Sequence, residues 1–287
     1  MTFASIKLSD ADEIERIRST YRHFTASHAF ASLYLWREVL GLSIALEKNF
    51  FVVRCSHKGE HCYYFPCGDR DRTEHFIRKH MAEENFSLRN IRDIDAAFLQ
   101  DCFPGRFELT YDRDSCEYIY DREEQVRLSG GRFAKRRNKL NKFIREHSAQ
   151  SVPLTEENAY LARKITLDWS DRQVYLPVVN DVHISLEALG MLRTLRLSGV
   201  LVFVDCEAAA YAMGCLLTPE IFDLCFMKQL PTYRGLSVFV VRELCRNLPE
   251  GVTTINLEDD LGIEGIRIHK GEMCPVRLDG MWEGKTI

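Results

Sequence analysis

Residues 200–228 read VLVFVDCEAAAYAMGCLLTPEIFDLCFMK, and this stretch decides the fold. It contains three runs rich in apolar and β-branched residues, Val200–Asp205, Ala210–Leu217 and Ile221–Lys228. Short segments with polar residues or proline separate the runs. Runs of this length and composition predict three consecutive strands of an antiparallel sheet.

The elements on either side of this meander complete an α+β order. Helical periodicity precedes it at 156–169 and 183–197, after a short strand at 151–154. After it we predict a loop at 229–234, a helix at 235–247, a strand at 252–257, a short helix at 263–270 and a last strand at 275–278.

The first half of the chain repeats this order. We predict two helices between Asp10 and Trp36, strands at 42–46, 50–55 and 61–65, a helix at 72–84, and a strand pair at 107–111 and 116–120. Two halves with matching element order indicate an internal duplication of an α+β unit with a mainly antiparallel sheet.

A basic amphipathic helix is predicted between the halves, in the segment 129–145. On a helical wheel, Phe133, Leu140 and Ile144 share a narrow sector, and the basic residues lie roughly opposite. Arg137 falls in the apolar sector, so we expect it to pair with a carboxylate or to line a polar cavity. The basic stripe opposite includes Lys135, Arg136, Lys139 and Lys142.

Composition and charge exclude several classes of protein. The 287 residues are 46% hydrophobic and 28% charged, which excludes a disordered or collagen-like chain. The net charge of -4 argues against a general polyanion binder. No signal peptide and no apolar stretch of about 20 residues is visible. We therefore expect a soluble, cytoplasmic protein whose ten cysteines are reduced and whose sequence contains no metal site.

Three motifs resemble a known family. They are Phe-x-x-Leu-Tyr-x-Trp at 30–36, the segment from Leu128 to Asn138, and Asn-x-Glu-x-Asp-x-Gly-x-x-Gly-x-Arg-x-x-Lys at 256–270. The chain resembles soluble bacterial proteins related to the catalytic domain of phosphatidylglycerol lysyltransferases, with the Fem aminoacyltransferases as distant relatives. The resemblance implies two tandem GNAT-like folds, the acyl-CoA N-acyltransferase type, each with a mixed, mainly antiparallel sheet flanked by helices.

The same resemblance implies a division of the chain and a reaction. Residues 1–128 would form a degenerate N-terminal GNAT-like domain that frames the acceptor, 129–148 the basic connecting helix, and 149–287 the C-terminal GNAT-like domain that holds the donor. The implied reaction is acyl or aminoacyl transfer from an activated donor to an amine or hydroxyl. The acceptor would be a small molecule, a peptide or a lipid headgroup, and a non-catalytic binding module on a degenerate fold is the alternative.

Three crowded carboxylates supply the candidate base. Glu258, Asp259 and Asp260 follow the strand at 252–257, where mutual repulsion raises the pKa of at least one carboxyl group. A carboxylate of this kind suits a general base that deprotonates an attacking amine, and Glu258 is the preferred candidate. Asp260 is a second catalytic candidate, although Asp259 and Asp260 fit equally well as caps of the following helix.

The remaining candidate site residues are cationic or lie in loops. Arg267 and Lys270 share one helix face, where they would hold an anionic group of donor or acceptor, or form a solvated surface pair. The predicted donor- and anion-binding residues are Arg234, Gly235, Leu236, Arg267, Arg137 and Asn256, and Lys270 is also assigned to catalysis.

The donor is predicted from two further features. The loop at Arg234-Gly235-Leu236 departs from the family's glycine-rich pyrophosphate pattern, with Phe239 where a tiny residue is expected, which disfavours acyl-CoA as co-substrate. The stripe of Lys135, Arg136, Lys139 and Lys142 would track the backbone of an aminoacyl-tRNA, or simply be a solvated helix face.

Overall fold

Helices and strands follow one another along the chain in an α+β order. The computed structural model describes residues 1–57, 60–171 and 181–287. In the first part of the chain the elements are α1 (Ala11–Thr20), α2 (Phe30–Trp36), β1 (Ser43–Glu47), β2 (Phe50–His57), β3 (Glu60–Tyr64), β4 (Cys67–Gly68), α3 (Arg70–His80), β5 (Ser87–Arg92), α4 (Asp93–Cys102), β6 (Phe107–Tyr111), β7 (Glu117–Asp121) and α5 (Arg122–Arg127).

The second part continues with the basic helix and a longer meander. Its elements are α6 (Ala134–Glu146), β8 (Ala149–Pro153), α7 (Ala159–Asp171), α8 (Val182–Leu189), β9 (Ser198–Val204), β10 (Glu207–Leu216), β11 (Ile221–Gln229), α9 (Leu236–Asn247), β12 (Thr254–Asn256), α10 (Glu264–Glu272), β13 (Arg277–Asp279) and β14 (Met281–Thr286). The meander β9-β10-β11 matches the three predicted strands to within three residues at each end.

The first sheet has the strand order β1-β2-β3-β5-β14-β6, with β4 paired to β2. Its strands β1, β2 and β3 pair antiparallel, and the chain then crosses through α3 to β5, which runs parallel to β3. Strand β14 lies between β5 and β6 and pairs antiparallel with both of them.

The second sheet has the order β13-β7-β12-β11-β10-β9-β8. Strands β8 to β11 pair antiparallel, and α9 connects β11 to its parallel neighbour β12. Strand β7 then pairs antiparallel with β12. Both sheets therefore pass from an antiparallel meander, through a helix, to one parallel neighbour, which confirms the predicted α+β fold with two mixed sheets.

Two compact units are built from interleaved stretches of the chain. The first contains residues 1–117, 259–263 and 278–287, and the second contains 118–258 and 264–277. The second unit has its core between the meander and the two helices α6 and α9, with fully buried Val202, Phe222 and Leu236 among its members. The units do not coincide with the three consecutive segments predicted from the sequence.

Several elements differ from the prediction. The predicted pair at 107–111 and 116–120 is wrong, because β6 pairs with β14 whereas β7 pairs with β12 in the other sheet. The helix predicted over 183–197 ends at Leu189, and β5, α4, α5 and β14 were not predicted. None of the helices in the described ranges combines the length and the apolar character required to cross a membrane.

A buried histidine pair in the first unit makes the stability depend on pH. The rings of His23 and His28 lie 3.9 Å apart, and both residues are 1% exposed. Burial lowers the pKa of His28 to about 3 and that of His23 well below its ordinary value. The His28 Nε2 lies 2.9 Å from the Phe65 carbonyl oxygen. Both histidines are therefore neutral in the folded protein at neutral pH.

Acid is expected to destabilise the protein through His28. Below about pH 6.5 the unfolded chain binds a proton at His28, whereas the folded protein does not until about pH 3. Between these values, His28 alone should lower the free energy of unfolding by about 1.4 kcal/mol for each pH unit of acidification. Urea unfolding at pH 4 to 7 measures this slope. His28→Gln should flatten it and exposed His75→Gln should not, and equal slopes in both variants would exclude His28 as the source.

Candidate functional site

A short parallel strand pair marks the candidate site in the second unit. Strands β11 and β12 pair only from Ile221–Thr254 to Asp223–Asn256, after which β12 ends and β11 continues to Gln229. Because α9 returns the chain between two parallel strands, the N-terminus of α9 and the end of β12 lie at the same edge of the sheet. Ligands of α/β sheets commonly bind at the carboxyl ends of parallel strands.

The backbone at the end of β12 is strained at Glu258. This residue has a φ of +55°, a region that residues other than glycine rarely occupy. The side chain of Asn256, 1% exposed, holds the turn by accepting a hydrogen bond of 2.8 Å from the Glu258 N–H. Such strained residues cluster at functional sites, where the surrounding structure fixes them. Glu258 is therefore held in a defined position rather than carried on a free loop.

Lys270 lies against the same segment. Its ammonium group, on α10, donates a hydrogen bond to the carbonyl oxygen of Leu257 and lies 5.6 Å from the centre of the Tyr118 ring. The Tyr118 N–H in turn donates to the Glu258 carbonyl oxygen at 3.1 Å. The structure thus brings the Lys270 ammonium group to the turn that carries Asn256 and Glu258, three of the predicted residues, at one strand end. Arg267 lies on α10, half-buried, three residues before Lys270.

Asp260 has the contacts of a structural residue. It is fully buried in the first unit, accepts a hydrogen bond from the Gly262 N–H at 3.0 Å and pairs with the Arg113 guanidinium at 3.1 Å. Helix α10 begins only at Glu264, so Asp260 caps the turn before the helix rather than the helix itself. The predicted catalytic role of Asp260 gains no support from these contacts.

The buried face of α6 differs from the predicted one. Its inward side carries Arg136, Leu140 and Phe143, together with Phe133 just before the helix, whereas Ile144 is 44% exposed. The Arg136 guanidinium donates to the Gln125 Oε1 at 2.6 Å and the Met273 carbonyl oxygen at 3.2 Å, and burial lowers its pKa. The prediction that Arg136 lies on an exposed basic stripe is wrong, because Phe143 rather than Ile144 sets the buried side.

The contacts of Arg137 differ from the first of its two predicted alternatives, a carboxylate partner. Arg137 donates to two backbone carbonyl oxygens, that of Leu128 at 2.6 Å and that of Gly130 at 3.0 Å. These bonds tie the loop before α6 to the helix and involve no carboxylate. The predicted carboxylate partner followed from the misplaced apolar sector, and the alternative that Arg137 lines a polar cavity stays a prediction.

The other predicted basic residues remain at the surface and partly neutralised. Lys135 and Lys139 both pair with Glu272 of α10, the second at 3.3 Å, and Lys142 pairs with Glu146 at 3.8 Å. Lys135 and Lys142 remain 68% and 54% exposed, so they are still accessible to a polyanion.

The start of α9 is closed on one side by α6. Gly235 has a φ of +101°, and a Cβ atom there would lie 2.7 Å from the Lys139 carbonyl oxygen. Leu236 is fully buried and its N–H lies 3.4 Å from the Tyr233 carbonyl oxygen, whereas Arg234 is exposed. Phe239 is buried and packs on Phe143 with 5.4 Å between ring centres. Gly235 and Phe239 at the start of α9 therefore pack closely against α6.

One buried polar cluster, around Asp223, is not among the residues predicted from the sequence. Asp223 is fully buried on β11 beside Asn256, its register partner on β12, with Cys215 and Cys225 close by. The available signal was the carboxylate inside the apolar run Ile221–Lys228, because a buried charge requires partners. For the cysteines the sequence predicts only reduced thiols without a metal.

The sequence matches one protein family over most of its length. The family described as phosphatidylglycerol lysyltransferase, C-terminal, matches residues 18–276. No curated protein matches the sequence.

Solved structures share the fold over the whole chain. A conserved protein from Bacteroides thetaiotaomicron is 24% identical and superposes with a TM-score of 0.91 over 100% of both chains. The L-PGS structure from Bacillus licheniformis is 15% identical, with a TM-score of 0.66 over 96% of this chain and 91% of that one. FemX is 8% identical, with a TM-score of 0.64 over 99% of this chain and 97% of that chain.

These likenesses confirm the resemblance that was drawn from the motifs at 30–36, 128–138 and 256–270. The matched region contains all three motifs, the strained turn at Glu258 and most of both sheets. The chain belongs to the family of the phosphatidylglycerol lysyltransferase C-terminal domain.

Proposed function

We propose that this protein transfers an aminoacyl group from an aminoacyl-tRNA to an amine or hydroxyl of a small molecule, a peptide or a lipid headgroup. The observation that carries the proposal is the turn at the end of a parallel strand pair, in which the Asn256 side chain holds Glu258 at a positive φ and Lys270 contacts the Leu257 carbonyl oxygen. Membership of a lysyltransferase family supports the reaction class, and the site supplies groups for it.

In the proposed mechanism, Glu258 acts as the general base. The acceptor nitrogen or oxygen attacks the ester carbonyl carbon of the donor while its proton passes to the Glu258 carboxylate. The carbonyl electron pair moves onto oxygen, and the Lys270 ammonium group stabilises the resulting negative charge. When the tetrahedral intermediate collapses, the ribose hydroxyl of the tRNA leaves and takes the proton from Glu258. The products are the aminoacylated acceptor and free tRNA.

Two features support a tRNA donor over acyl-CoA. The carbonyl oxygen of Lys139 faces Gly235 at the start of α9, where it would repel a pyrophosphate. The exposed lysines of α6, Lys135 and Lys142, supply positive charge for an RNA backbone without closing around a small anion. Acyl-CoA remains the alternative donor, and it is an outcome of the same test.

The donor assay uses single-turnover conditions. Purified protein is mixed with radiolabelled aminoacyl-tRNAs or acyl-CoAs and with pools of amine and hydroxyl acceptors. We expect transfer of label from aminoacyl-tRNA, and tRNA binding that weakens steeply with salt. Lys142→Gln should reduce the slope of log K against log salt by about 0.9, as expected for one lost phosphate contact, whereas Lys164→Gln on α7 should not change it.

Three outcomes contradict the proposal in different ways. Transfer from acyl-CoA alone would replace the donor while keeping the reaction class. Saturable tRNA binding without transfer from any donor would favour a binding module. Absence of both tRNA binding and transfer would contradict the proposed tRNA donor and also the proposed binding of RNA by the α6 lysines.

A further inference from the structure

Cys215, Asp223 and Cys225 form a compact group of potential metal ligands in the second sheet. Cys215 on β10 is the register partner of Asp223 on β11, and Cys225 follows two residues later. One ligand atom from each residue lies within 4.8 Å of the other two, and the Cys225 Sγ lies 3.5 Å from the Asp223 Oδ2. Asp223 is 0% exposed and Cys215 7% exposed, so the group is in the protein interior.

An irregularity in the sheet brings these side chains together. The register between β10 and β11 shifts between Met213 and Cys215, so that β11 contains one extra residue. Gly214 makes the shift sterically feasible, because a Cβ atom there would lie 1.7 Å from the Asp223 carbonyl oxygen. In a regular strand, Asp223 and Cys225 share a face, and the bulge adds Cys215 from the neighbouring strand to the same small volume.

The spacing of the group suits a tetrahedral ion. With Zn–S distances near 2.3 Å and Zn–O distances near 2.1 Å, a tetrahedral site places neighbouring ligand atoms roughly 3.5 to 3.8 Å apart. The observed separation of 3.5 Å between sulfur and oxygen falls in this range. Two sulfur ligands favour zinc over magnesium or calcium, which prefer oxygen ligands.

We propose that Cys215, Asp223 and Cys225 bind one zinc ion, leaving a fourth position for water or another ligand. The site adjoins Asn256, the register partner of Asp223, and so lies at the carboxyl end of the parallel strand pair. It stands independently of the proposed aminoacyl transfer, because its test requires no activity.

The chemistry of the metal-free group fits a cation site. Two thiolates and a carboxylate would be too costly to bury together without a cation. Cysteine binds metal as the thiolate, so binding of zinc by these two cysteines is accompanied by release of protons.

Cobalt serves as a spectroscopic probe of the site. The full-length protein is stripped of metal with a chelator, reduced, and titrated with Co²⁺. We expect one equivalent to bind with sulfur-to-cobalt charge-transfer absorption, and Zn²⁺ to displace it. Cys215→Ser and Cys225→Ser should each lose most of this absorption. Cys206→Ser, at an exposed cysteine outside the group, should retain it.

A second measurement requires no variant of the site. Zn²⁺ should slow alkylation of Cys215 and Cys225 in the unaltered protein without protecting Cys206. The extent of alkylation is measured by mass spectrometry for each cysteine-containing peptide. Three results would overturn the proposal: no stoichiometric cobalt absorption, equal protection of all thiols, or absorption that persists in both serine variants. Each would leave the two thiols as hydrogen-bond donors near Asp223 with no metal role.

Discussion

Replacing Glu258 with glutamine is expected to lower the rate of aminoacyl transfer by about 10² to 10⁴-fold, the range for loss of a positioned general base. Glutamine keeps the size of the side chain and allows the Asn256 hydrogen bond to the backbone N–H of residue 258. The turn should therefore persist while the group that accepts the proton is lost. The measurement is the single-turnover rate with saturating donor and acceptor.

The pH dependence separates a catalytic role of Glu258 from a structural one. The wild-type rate should rise with pH as the base becomes deprotonated and then level off, whereas the residual rate of Glu258→Gln should lack that rise. Glu264→Gln, at an exposed glutamate of α10, is the matched control and should retain full activity. A fully active Glu258→Gln variant would remove Glu258 from the proposed mechanism.

Replacing Arg122 with methionine should lower the free energy of unfolding by about 3 to 5 kcal/mol. The Arg122 guanidinium lies at the end of α9 and donates hydrogen bonds of 2.6 to 2.9 Å to four backbone carbonyl oxygens, those of Cys245, Leu248, Pro249 and Val252. Several of these are carbonyl groups that a helix terminus leaves without helical partners. A cation there also interacts favourably with the helix dipole.

The geometry makes lysine a poor substitute at this position. Four acceptors are matched by the planar fork of arginine and not by a single ammonium group. In urea unfolding, the Arg122→Lys variant should therefore lose about as much free energy of unfolding as the Arg122→Met variant. Arg127→Met is the control, because Arg127 is 69% exposed in its pair with Glu123 and contributes at most about 1 kcal/mol. If Arg122→Met lowers the free energy of unfolding no more than Arg127→Met does, then water replaces the four hydrogen bonds of Arg122.

The meanders could be predicted from sequence because their strands are neighbours along the chain. Alternating apolar residues and short turns locate β1 to β3 and β9 to β11 within a few residues. Strand β14 could not be located in this way, because it is short and its partners β5 and β6 lie about 170 to 200 residues away in sequence. Nothing in the local pattern of Met281–Thr286 identifies partners so distant.

The same contrast holds within the candidate site. The motif at 256–270 located Asn256, Glu258 and Lys270, whose contacts lie within about a dozen residues. The helical wheel of α6 failed because Phe143 and Ile144 are both apolar and only tertiary packing chooses between them. The group around Asp223 depends on a bulge and on a neighbouring strand, which periodicity alone does not describe.

The position of β14 between β5 and β6 has a consequence for synthesis of the protein on the ribosome. Residues 281–286 are translated long after β5 and β6, and until they emerge, β5 and β6 expose unpaired edges. The first sheet therefore cannot form completely until β14 has emerged, although most of its other strands are translated much earlier. A nascent chain stalled near residue 250 should therefore stay protease-sensitive throughout its first hundred residues, and a gene fragment encoding only the N-terminal half should yield aggregates instead of a folded product.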